Sequence, residues 1–240
     1  MDTRYIMERR MSEPSVLQLK SLREQVYEHL RASIEAGGLV PGTFIDQNRI
    51  SAELGISRMP LRDAMIQLDI EGFVEVLPRR GVRVRRLTLD DVRDLYEIIG
   101  ALEGAALLSN PDGIDPGDLV RMDSLNREMS SALESGDFDT YYSRNVAFHR
   151  VFLAWSDNHE LRRSVRVCRQ RLYDFPRERA FVPEWEHRSI REHGEFLDLL
   201  LDGKAREAAD FLRDVHWSFE VQKPFLIRYH HLEIGIEEEA

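Results

Sequence analysis

Arg58 and Arg62 stand four residues apart at the head of a helix that Ser57 is suited to cap and Pro60 to open, so both guanidinium groups leave one side of its first turns. An arginine held there can grip the O6 and N7 atoms of guanine with two parallel hydrogen bonds. The plainer alternative is a pair of solvated arginines balanced by Asp63 and Asp69. Ser57 can add a phosphate bond through its hydroxyl or backbone. Beyond this helix, Arg79, Arg80 and Gly81 make the tip of a basic hairpin. The glycine admits a close backbone approach, and either arginine can reach a minor groove; Arg83, Arg85 and Arg86 face solvent or phosphates without sequence preference. A second constellation is Asn145 and His149, one helical turn apart on one face. Spacing alone fits a metal site or histidines that simply hydrogen-bond.

These residues need particular elements to position them. Residues 46–54 form a short helix that Gly55 ends, and residues 58–71 form a second, with Leu61, Ala64, Met65 and Leu68 on its apolar face. Two alternating stretches, 73–77 and 82–87, read as strands joined by Pro78-Arg79-Arg80-Gly81. Helix, turn, helix and basic hairpin make a winged helix-turn-helix, whose second helix enters the major groove of DNA. An apolar repeat over Leu19, Leu22, Val26, Leu30 and Ile34 predicts a preceding helix over 17–36, which Gly37-Gly38 stops; Pro41-Gly42 then turns the chain. Thr88, followed by Asp90 and Asp91, starts a new helix, and the domain boundary falls there. Helices then follow over 89–109, 116–135, 137–156, 158–175, 183–202 and 204–229, which form an antiparallel bundle. The expected fold is mainly α, a winged helix-turn-helix over 17–87 and an all-helical bundle over 88–232, with a flexible lead-in (1–16) and a frayed acidic tail (233–240).

Charge separates the two parts. Residues 1–87 hold 14 basic and 12 acidic side chains, whereas the rest hold 19 against 31. The acidic remainder repels DNA and restrains non-specific adhesion, which suggests two modules with different tasks. One cysteine, Cys168, excludes a disulfide framework and suits a reducing cytoplasm. No apolar run is long enough for a membrane span, and the first residues lack the apolar core of a secretory signal.

The stretch from Leu22 to Val84 resembles the GntR family of bacterial transcription regulators. It carries G-x-L-x-P-G after the first helix, then L-G-I-S-R-x-P-L-R-D-A, E-G-F-V and a P-x-R-G wing. The later half is similar to the all-helical FCD effector domain of the family's FadR-like branch, through LTLDDVRDLYEIIGALEG, N-x-x-x-H at Asn145 to His149, Glu192-His193 and AADFLRDVH ending at His216. The resemblance implies a homodimer on a palindromic double-stranded DNA operator, more often a repressor, that responds when a small organic acid enters the bundle. It places Arg58, Arg62, Arg80 and Gly81 on DNA. It also gathers Asn145, His149, His193 and His216 as ligands of a divalent transition metal, zinc, nickel or manganese, with open positions for a carboxylate.

Four departures from the family pattern bear on this. Asn48 stands where relatives often have an arginine; it can bond a phosphate or an adenine but brings no charge, and Arg49 beside it points elsewhere. Asn145 replaces the usual aspartate. Ile99 occupies the place of an arginine suspected of gripping an anionic ligand, a task that Arg169, Arg171 and Tyr173 can take over for the effector. His216 lies one residue further from His193 than the pattern expects; if the extra residue sits in the Asp202-Gly203-Lys204 loop, the helix register survives. Trp155, Trp185 and Trp217 read as core or pocket walls. Two other readings are a pure metal sensor and, from a different class, a metal-dependent hydrolase. Against the hydrolase, no general base is placed beside the histidines, since Glu192 should point to another face. There is also no nucleophile elbow, phosphate-binding loop or dinucleotide fingerprint.

Overall fold

Polar side chains cap the start of several helices, Ser21, Asp46, Thr88, Asp115 and Asp137 among them. The structure, a computed structural model, describes residues 20–110, 114–173 and 182–230. Its first helix, α1 (Leu22–Glu35), starts later than the apolar repeat predicts. The Ser21 hydroxyl accepts from the Glu24 N–H while the Glu24 carboxylate accepts from the Ser21 N–H at 2.7 Å, and this reciprocal cap stops the helix from extending backward. Residues 17–19 of the expected helix lie outside the described residues.

Asp46 caps α2 (Gln47–Leu54) by accepting from the Asn48 and Arg49 N–H groups. Ser57 does hold the cap position of α3 (Arg58–Ile70), but its side chain makes no capping bond, which leaves the hydroxyl available. The apolar face of α3 is buried against Val26, Leu30 and Ile34 of α1. Strand β1 (Val74–Leu77) pairs antiparallel with β2 (Gly81–Val84), Leu77 opposite Gly81 and Val74 opposite Val84. The second strand is shorter than expected because the Arg85 N–H bonds the Phe73 carbonyl and the chain then leaves toward Thr88. An edge absent from the sequence reading joins them. Phe44 bridges Arg83, and the Gly42 and Ile45 N–H groups donate to Val84 and Val82.

Thr88 and Asp91 cap α4 (Leu89–Leu107) reciprocally, where the boundary was expected. The bundle continues with α5 (Pro116–Ser135), α6 (Phe138–Leu153), α7 (His159–Tyr173) and α8 (Pro183–Leu201). Tyr96, Met122, Met129, Phe148, Phe152 and Phe196 fill its centre, each such burial being worth about 1.5–3 kcal/mol. Residues 174 and 175 of the predicted fourth bundle helix lie outside the described residues.

The single helix expected over 204–229 is instead three pieces: α9 (Ala205–Phe211), a π turn (Leu212–His216) and α10 (Phe219–His230). The Trp217 N–H reaches back five residues to the Leu212 carbonyl at 2.8 Å. A π turn takes up an inserted residue within a helix. This turn sets the register at which His216 leaves the helix. Gly100 makes the turn possible, because a Cβ there would lie 3.0 Å from Trp217 Cβ and 3.3 Å from the Arg213 backbone.

Candidate functional site

At one end of the winged unit, Arg58, Arg62, Arg79 and Arg80 are all exposed. Asn48 is engaged within the protein: its amide oxygen accepts from Arg58 Nη2 at 2.7 Å, which aims that arginine from the neighbouring helix. Arg62 makes no ion pair among the described residues. Met59, 73% exposed beside them, was missed in the sequence and offers the apolar contact that a thymine methyl takes. At the wing tip Arg79 has φ 62°, left-handed for a side-chain-bearing residue, followed by Gly81 at φ 107°. Arg83 is not free for phosphates, since its Nε donates to Glu75 across the ladder at 2.5 Å. Arg85 approaches Asp91 at 4.0 Å.

The other end of α3 meets the bundle. Glu71, its C-cap, accepts from the Tyr27 hydroxyl of α1 and lies 3.6 Å from Arg163 of α7. Val167 of α7 packs on the winged core. Arg171, expected at the effector, is turned away from it: a Cβ on Gly72 would sit 2.8 Å from the Arg171 guanidinium carbon. Gly72 also has φ 81°. Gly72→Ala is expected to cost about 1–3 kcal/mol through backbone strain and displaced Arg171, a loss measurable by urea unfolding.

Inside the bundle, α6, α8 and the π turn bring His149, His193 and His216 together. One ring nitrogen from each lies within 4.8 Å of the others, and the ring centroids are 5.0–5.2 Å apart. The sequence reading is corrected at their surroundings, because two carboxylates adjoin them. His149 Nδ1 donates to Glu103 Oε2 at 2.9 Å, an oxygen that also accepts from Trp217 Nε1 at 2.7 Å. His216 Nδ1 donates to Glu192 Oε2 at 2.9 Å, and Arg188 and Gln222 hold the other Glu192 oxygen. Glu192 and His193 do diverge along α8, yet His216 sits across both. The second nitrogen of His149 and of His216 is thus presented in a fixed tautomer. His193, 1% exposed and stacked on Phe148, has neither nitrogen hydrogen-bonded.

Burial pushes His149 and His193 well below their ordinary range, which keeps both rings neutral. Burial raises Glu103, while Arg169, 3.5 Å away, opposes that rise. Burial also works to raise Glu192, but His216, Arg188 and Gln222 outweigh it and hold the carboxyl low. Orphaned nitrogens and carboxylate-oriented imidazoles are the donor set a divalent transition metal needs, so the residues fit such an ion. Asn145 lines the same cavity as His149 and His216, and its oxygen accepts from Arg169 Nη2 at 3.4 Å. Arg169 and Tyr173 do line the cavity, with Trp185 and Trp217 as walls; Ile99 is core. Trp155 bonds Asp118 instead. The cavity is small, about 40 Å3.

Glu186 also lines it, and burial pushes this carboxyl up to about 7. A folded pKa above the ordinary 4.5 means that the native state holds the extra proton, so stability falls as pH rises from 4.5 to 7. Glu186→Gln is expected to raise the melting temperature at pH 8, by the equivalent of about 3 kcal/mol at most, and to change little at pH 4. Thermal melts of both proteins across that range check it.

Two family models match the chain: "Bacterial regulatory proteins, gntR family" over residues 22–84, and "FCD domain" over 94–215. The chain is 31% identical over 139 residues to the uncharacterized HTH-type transcriptional regulator YdhC of Bacillus subtilis (strain 168), over 58% of this chain and 62% of that one. It is 25% identical over 160 residues to the HTH-type transcriptional repressor RspR of Escherichia coli (strain K12), over 64% and 70%. The fold is that of E. coli McbR/YncC, with TM-score 0.65 and 21% identity over 89% of this chain and 99% of that one. A GntR regulator from Rhodococcus sp. RHA1 gives 0.61 at 22% identity, over 88% and 97%. With the winged unit and helical bundle each matched in order, the chain belongs to the GntR family of transcriptional regulators, with an FCD domain as its helical half.

Proposed function

We propose that this protein is a homodimeric repressor that reads a two-fold operator in double-stranded DNA and responds to a small organic acid at a metal ion held in its bundle. The observation that carries the sensing half is His193, whose two buried nitrogens have no partner between two histidines that carboxylates already orient. His149, His193 and His216 would hold zinc, nickel or manganese. When bound, such an ion supplies open coordination positions for a carboxylate. Arg169 and Tyr173, in the same wall, would meet the rest of that anion. The reading half rests on the exposed arginines at the head of α3 and on the wing. Repression is the activity named for RspR and comes to this chain by that likeness.

The cavity's size supports a mechanism. A space of about 40 Å3 takes an ion and a few waters, so an acid larger than these would favour a bundle in which the cavity is wider, a shift between two populations. Because α7 forms a cavity wall through Arg169 and also clamps Glu71 and Gly72 at the end of α3, that shift would change how the reading helices are presented. The same small volume favours one other reading, in which the ion alone is the signal.

Fluorescence anisotropy of the full chain on operator DNA separates these. A coupling of about 5–150-fold in DNA affinity, produced by an acid only in metal-loaded protein, is the expected result. An equal change from zinc alone assigns the signal to the ion. Identical affinity in chelator-treated, metal-loaded and acid-saturated protein would contradict both.

A further inference from the structure

Consecutive helices joined by a short connection ordinarily pack on each other. α6 and α7 touch through Tyr142 against Tyr173 and through Arg169 on Asn145, but each packs more extensively elsewhere, α6 on α5 and α7 on α4. An open groove of about 650 Å3 lies between them. Its floor is apolar, with Val146 and Leu153 from α6 and Val165 from α7. Its walls are cationic. α6 contributes Arg150, and α7 contributes Arg162, Arg166 and Arg169 at helical spacing along one face. Glu35, at the end of α1, is the one carboxylate residue lining it.

This arrangement runs against the charge of its own domain. Beyond residue 87 acids outnumber bases 31 to 19, so each arginine has acids to pair with. Arg150 and Arg166 nevertheless make no ion pair among the described residues, and Arg162 is spent on His159 Nδ1 at 2.5 Å. Guanidinium groups facing one groove repel each other unless an anion enters it.

We propose that the α6–α7 groove binds a small organic dianion, a phosphate monoester with a short apolar body. Arg150 and Arg166 grip the dianionic head, whose oxygens match the guanidinium fork. Val146, Leu153 and Val165 cover the apolar part. The site is separate from the histidine cavity, although Arg169 and Tyr142 line both. It stands whether or not that cavity takes an acid.

Calorimetric titration of the full chain with inorganic phosphate and with hexyl phosphate, in sodium chloride of matched ionic strength, tests it. Hexyl phosphate is expected to bind at least about tenfold more tightly than inorganic phosphate, since several methylenes leave water. Arg150→Ala combined with Arg166→Ala is expected to weaken both by about tenfold or more, each guanidinium giving a charge-assisted bond. Both residues are exposed, so the fold survives, as circular dichroism will show. Arg166→Lys, which keeps the charge and loses the fork, falls between. Chelator treatment leaves the binding unchanged. Binding no stronger than chloride produces, binding that persists in the double variant, or binding lost on chelator treatment would each overturn the proposal. So would a double variant whose main change is its oligomeric state, because the arginines then face a second copy.

Discussion

Arg62→Ala is expected to weaken binding to operator DNA by the equivalent of about 1–3 kcal/mol per reading helix, while thermal stability stays within about 0.5 kcal/mol of the parent. The side chain is exposed in the first turns of α3 and makes no ion pair among the described residues, so the described fold does not depend on it. Arg58 is a different case. Asn48 holds its guanidinium from α2, and Asn48→Ala frees a side chain that then loses entropy on meeting a base. Asn48→Ala should therefore weaken specific binding less than Arg62→Ala and leave non-specific binding unchanged. Anisotropy on specific and scrambled duplexes, read against salt, distinguishes the two effects.

His193→Phe is expected to abolish metal binding and yet leave the metal-free protein as stable as the parent, or more so. A buried ring with two unpartnered nitrogens costs the desolvation of both, and a phenyl ring of similar shape keeps the stack on Phe148 without that cost. Saturating zinc should raise the melting temperature of the parent and not of His193→Phe, since an ion stabilises only the state that binds it. Glu103→Ala should behave in the opposite way. It strips partners from His149, Trp217 and Arg169 and is expected to cost about 3–5 kcal/mol with or without metal. Melts of the three proteins with chelator and with zinc make the comparison. A zinc-dependent rise retained in His193→Phe would remove that histidine from the site.

The winged unit was legible because its signals are local. Ser57 and Pro60 before an apolar face, Gly72 behind it, and Pro78 to Gly81 between alternating stretches each act within a few residues. The edge at Gly42 to Ile45 was not legible, being too short for alternation to register. In the bundle, the turn residues between helices located α4 to α8 but could not foresee the π turn that divides the last. That depends on Gly100, more than a hundred residues away, admitting Trp217 and Arg213. The same limit applies at the site. His149, His193 and His216 could be gathered only through likeness to a family, since they lie on separate elements. Glu103 and Glu192 were read past because a helical wheel says which face a residue takes, not what another element brings to it. Arg171 was misassigned for that reason too: it shares a helix with Arg169 but leaves toward Gly72.

The account turns on the winged unit selecting a particular DNA sequence. Purified full-length protein, mixed with sheared genomic DNA at physiological ionic strength and with metal present, should enrich a small set of fragments sharing a two-fold symmetric motif. Arg62→Ala protein treated identically should not. Fragments recovered by the parent protein in proportion to their abundance, no different from those recovered by the variant, would contradict it.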